Sequence, residues 1–221
     1  MVTLKNKKIL LALIAVIFLG SGVISYYFFV LKPNKNFEAE ASLIISDYNE
    51  EIDVLNKRFQ KDLLFRGEDA ENAKGKVNDL RKRASNLPKP KDKRLTNISK
   101  LLCNTINSFY RYINASIDLD DGYFKYIKAL DKEPDIVGNK LCNLMEVKKE
   151  ARSEFVTNHG LLKKEILSKF GIELYAINFD RDLSADEWDL LNATSTLEDS
   201  KYVVQKLILD TIYLVEKDDG R

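Results

Sequence analysis

The residues able to do chemistry are few, and their spacing suits little of it. The chain has 221 residues and a single histidine, His159. Metal sites of the His-x-x-x-His kind need two imidazoles one helical turn apart, so they are absent from the sequence. His159 precedes Gly160, a pair expected to cap or kink a helix rather than catalyse. No Gly-x-Ser-x-Gly turn, phosphate-binding glycine loop or dinucleotide fingerprint occurs. Asp120 with Asp121, and Asp186 with Glu187, are the carboxylate pairs that acid–base hydrolysis uses. Neighbouring acids on a helix surface are ordinarily solvated, and that is the expectation for both pairs. The segment Asp180–Glu187 has the look of a calcium loop. An EF-hand needs Gly at its sixth position and Glu at its twelfth, where this chain has Ala185 and Leu191. No catalytic residue, metal or cofactor is expected.

Two groups remain as candidate sites. Arg81, Lys82, Arg83, Lys89, Lys91, Lys93 and Arg94 form a basic patch around Pro88 and Pro90. It suits lipid headgroups or another anionic surface, or else is a solvated connection between helices. Cys103 and Cys142 are the only cysteines. In an oxidising compartment two cysteines tend to pair. Pairing requires the chain to turn at Gly122, midway between them, whereas an unbroken helix there holds the thiols apart. The compartment favours the first path and the helical register the second.

The element that positions everything else is the N-terminal segment. Lys5, Lys7 and Lys8 precede an uncharged apolar run from Ile9 to Leu31. As a helix this run is long enough to cross the roughly 30 Å hydrocarbon core. Secretory signal peptides have a shorter apolar stretch and a small-residue cleavage site. Here the run ends in bulky Tyr26, Tyr27, Phe28 and Phe29, which favours an uncleaved anchor. The lysines before it favour a cytoplasmic N-terminus, with the C-terminal domain extracytoplasmic. The expected divisions are a cytoplasmic stub at 1–8, an anchor at 9–31 and a juxtamembrane linker at 32–36, broken by Pro33. A helical domain at 37–217 and a polar tail at 218–221 complete the chain.

Without Lys5, Lys7 and Lys8, the 35 basic residues fall to 32 against 34 acidic ones. A near-neutral domain argues against nucleic acid as a partner. Gly and Pro are scarce, as long helices require. Apolar residues at steps of three and four predict helices over Phe37–Arg66, with Gly67 ending the first, and over Glu68–Asn86. The strongest stripe runs over Leu95–Asp131. A fourth helix spans about Pro134 or Asn139 to Asn158, with a break or kink at His159-Gly160 before Leu161–Phe170. Ile172–Phe179 reads as extended, Ser184–Leu191 as a short capped helix and Leu197–Glu216 as the last helix. The fold class is therefore all-α: an N-terminal transmembrane helix followed by an elongated antiparallel bundle of four to five helices. Such a chain is expected to be a membrane-anchored interaction or scaffold protein. Its partners would be the lipid bilayer and another membrane or envelope protein, with self-association open. The alternatives are an accessory ligand-sensing bundle and an envelope hydrolase using paired carboxylates.

Overall fold

Among the described residues the apolar stripes become helices. The computed structural model describes residues 16–59, 67–127 and 134–178, and among them there is no β-strand. The first helix, α1, comprises α-helical residues 16–26, a π-helical turn at Tyr27–Leu31 and the α-helical stretch Lys32–Phe59. The expected break at 32–36 is therefore not there. Pro33 has no N–H, so in regular α geometry it would strand a carbonyl one turn back and press its ring against it. The π turn loosens the helix just before that point. The Lys32 N–H reaches back to the Tyr27 carbonyl, and the helix carries on through Pro33. Over Val16–Lys57 it is long and apolar enough to cross a membrane, by length and composition. Val16, Ile17, Phe18, Leu19, Val23, Ile24 and Phe29 all point outward, uncovered by protein.

Helix α2 spans Gly67–Ser85. Gly67 is the first residue of this helix and has a left-handed φ of 71°; the end of the helix before it falls in residues 60–66, outside the described residues. Its buried face is Ala70, Ala73, Val77, Leu80 and Ala84, small enough for close approach to its neighbours. Helix α3, Lys93–Ile127, is 35 residues long. The Asp92 carboxylate caps it, accepting the Leu95 N–H at 2.9 Å. It passes through Gly122 without turning, as the register requires.

Helix α4, Pro134–Phe170, is a single helix of 37 residues. The break expected at His159-Gly160 does not occur. Phe155, Leu162 and Ile166 are fully buried on one face, and that packing outweighs the roughly 1 kcal/mol a mid-helix glycine costs. Gly171, with φ 67°, ends α4 as expected, its N–H reaching the Leu167 carbonyl at 3.1 Å. Residues 171–178 then follow without regular secondary structure.

Successive helices run antiparallel. Arg83 and Lys76 of α2 meet Asp47 and Glu51 of α1, in reversed order. Arg94 and Arg111 of α3 meet Glu165 and Glu154 of α4, again reversed. Lys169 at the end of α4 returns to Glu38 near the start of the bundle at 2.8 Å. Between the helices lies an aromatic column. The Phe109 and Phe155 rings stack at 4.7 Å, Tyr112 continues the stack at 6.0 Å, and Tyr48 meets Phe109 edge-on at 5.7 Å. The expected helices at 184–191 and 197–216, the calcium-like segment, Asp186, Glu187 and the tail lie outside the described residues, as do residues 1–15.

Candidate basic edge beside the apolar helix

Asn34 decides where the basic residues sit. It lies on α1 three positions beyond Leu31, the end of the apolar run. Its side-chain oxygen accepts the backbone N–H of Lys91 at 2.8 Å and of Asp92 at 3.1 Å. One amide thus fastens the α2–α3 turn to the helix just past its apolar stretch. Lys89, Lys91 and Lys93 are exposed there, with no ion pair among the described residues. Lys32 and Lys35 are exposed on α1 itself, and the Lys32 ammonium lies over the Phe28 ring, 5.5 Å from its centre. An open groove of about 720 Å³, lined by Asp92, Lys93, Arg94, Asn97 and Glu165 among others, begins at this edge.

The seven basic residues grouped in the sequence therefore divide. Arg81 stacks on Tyr110 at 4.2 Å. Arg83 pairs with Asp47 at 2.6 Å and lies 3.8 Å from Asp79. Arg94 bonds Ser168 at 2.6 Å and Glu165 at 3.4 Å. These three guanidinium groups hold helices together. Lys82 is exposed on the last turn of α2. Only Lys89, Lys91 and Lys93 share the fastened turn.

The cysteines stay apart. Neither forms a disulfide. The Arg111–Glu154 pair sets the register of α3 against α4, and it puts Cys142 about 20 residues, or roughly 30 Å, along the bundle from Cys103. The Cys103 thiol donates to the Ala84 carbonyl at 3.2 Å. Burial pushes both thiols up, and Glu146 adds to the effect on Cys142, so neither is an activated nucleophile. Asp120 is buried while its neighbour Asp121 is exposed, so that pair does not converge on one site.

No protein-family model, curated protein or solved structure matches the chain.

Three polar features escaped the sequence. His159 is not a helix cap; its Nδ1 lies 2.7 Å from the Tyr48 hydroxyl in the middle of the aromatic column. Burial lowers the His159 pKa to about 4, with the Tyr175 backbone opposing the shift and Lys163 adding to it. Burial likewise pushes the Tyr48 phenol well up, so it keeps its proton and is the natural donor to Nδ1. Glu51 is buried on α1 against Lys76 at 3.2 Å; burial raises its pKa, and Lys76 pulls the other way.

The third feature is a pair of asparagines, Asn49 and Asn56, two turns apart on α1. Asn49 donates to the Glu173 carbonyl at 3.2 Å and accepts the Tyr175 N–H at 2.7 Å. Asn56 does the same for the Ala176 carbonyl at 2.8 Å and the Asn178 N–H at 2.7 Å. Each amide serves the chain as a neighbouring β-strand would. Leu174 is fully buried, and Ile172 and Ile177 pack on the core, so residues 171–178 form a strap along α1.

Proposed function

We propose that the chain is a single-pass membrane protein whose helical domain stands outside the cytoplasm as an interaction or scaffold module for another envelope protein. The observation that supports this reading is α1. One helix supplies both the uncovered apolar segment and, through Phe37, Ala41, Ile44 and Tyr48, a wall of the buried core. A continuous helix transmits orientation, so the domain would be held at a set height and angle above the bilayer. That rigidity suits a module presenting a fixed face to a membrane neighbour. Lys5, Lys7 and Lys8 favour the orientation with the N-terminus inside. On α4, Val147 and Leu161 are about half exposed and lie four turns apart on one side, a face available to a partner.

The test is photo-crosslinking in native membranes, with the reactive group placed at Val147 or Leu161 of the full chain. A discrete adduct with one envelope protein, or with a second copy of the chain in the self-associating form of the same reading, is expected. Adducts to lipid alone, or a diffuse smear no different from that at exposed Glu150, would overturn it.

A further inference from the structure

We infer that the α2–α3 turn, through Lys89, Lys91 and Lys93, docks on anionic phospholipid headgroups of the bilayer that α1 crosses. The inference rests on the anchored reading above. It starts from depth. Asn34 lies three residues past Leu31, about 4.5 Å along the helix axis. The headgroup layer is roughly 5–7 Å deep on each side of the hydrocarbon core. Because Asn34 holds the backbone N–H groups of Lys91 and Asp92 directly, the turn itself lies at that depth. Nearness in sequence plays no part: the two segments are 57 residues apart.

Charge points the same way. The three lysines are exposed and unpaired among the described residues, and Lys32 and Lys35 are exposed on α1 on either side of Asn34 in sequence. The acids nearby are engaged elsewhere: Asp92 caps α3, Glu38 pairs with Lys169, and Glu165 takes Arg94. Lysine suits this position, because its apolar stem lies along the interface while the ammonium reaches phosphate. Pro88 and Pro90 alternate with Lys89 and Lys91 and fix the backbone angles between them, so little ordering is needed on contact. The α2–α3 turn lies on one side of α1, so this attraction also sets the direction in which the helix tilts.

The full chain is placed in nanodiscs of phosphatidylcholine alone, or with a third of the lipid replaced by phosphatidylglycerol. Each lysine's rate of modification by a soluble amine-reactive reagent is then read by mass spectrometry. A lysine held at an anionic surface gains a factor of roughly five in occupancy. Lys89, Lys91 and Lys93 should react about fivefold more slowly in the anionic discs at low salt, converging at high salt, while Lys148 on α4 is unchanged. Glycerophosphate added to the neutral discs should give no protection. Equal rates in the two discs, or equal protection by glycerophosphate, overturn the inference and leave the anchor standing. Failure of the chain to enter either disc overturns the anchored reading and this inference together.

Discussion

Acid should loosen the bundle through one residue. His159 is the chain's only histidine, and its Nδ1 receives the buried Tyr48 hydroxyl. Protonating Nδ1 would set two donors against each other in an apolar column, so folding favours the neutral ring. Its pKa is lowered from 6.5 to about 4. The associated stability is complete above the unfolded value near 6.5 and is lost as pH falls from there towards 4. Linkage gives a loss of about 2 kcal/mol between pH 7.5 and pH 5, levelling at about 3 kcal/mol below pH 4. Carboxylates titrate in the same range, so the clean quantity is a difference between wild type and His159→Gln. Glutamine has no titration, and its carbonyl can accept from Tyr48. Urea unfolding of both proteins in the same micelles, followed by circular dichroism, should show the wild type losing about 2 kcal/mol relative to the variant over that range. A single histidine also means that the imidazole C–H resonances in a proton NMR titration come from one ring. A midpoint near 4 agrees with a ring held neutral by burial. A midpoint near 6.5, or parallel pH profiles for the two proteins, would mean that the ring is not held neutral by the fold.

Two further substitutions test the less expected parts of the chain path. Asn49→Ala and Asn56→Ala each remove two hydrogen bonds from the strap, a local cost of roughly 1–3 kcal/mol. Amide exchange at 174–178 should quicken in either variant while α3 stays protected, and unchanged exchange would mean that the apolar anchors alone hold the strap. Gly160→Ala should stabilise by about 0.5–1 kcal/mol, because the position is mid-helix and open space surrounds an added methyl. A loss of thermal stability would mean that α4 breaks there.

Legibility in the sequence followed the range of the interaction concerned. The α3 stripe from Ile98 to Leu119 could be read because each apolar residue reports on the same buried face, and α3 runs on through Gly122 despite the turn that Asp118–Gly122 also offered. Local rules misled in two places. Pro33 was expected to break the chain, but the rule assumes α geometry and the π turn at Tyr27–Leu31 sidesteps it. His159-Gly160 has the look of a helix end, but the core contacts of Phe155 and Leu162 on either side hold it helical. Long-range polar contacts left almost no trace. Asn34, Asn49 and Asn56 bind backbone 57 to 126 residues away, and only the seven-residue spacing of the last two hints at a shared face. The basic patch was visible as composition. Its division into structural arginines and free lysines was not, because Asp47, Tyr110 and Glu165 come from distant parts of the chain.

In the proposed arrangement α1 anchors the chain in a membrane and carries the bundle outside the cytoplasm. Protease added to intact cells or spheroplasts, followed by alkaline washing of the membranes and mass analysis, tests it most directly. The bundle should be digested from outside while a fragment containing residues 1–31 stays in the washed membrane. Full protection of the bundle, release of the chain by the wash, or a mature N-terminus beyond residue 20 would contradict this arrangement.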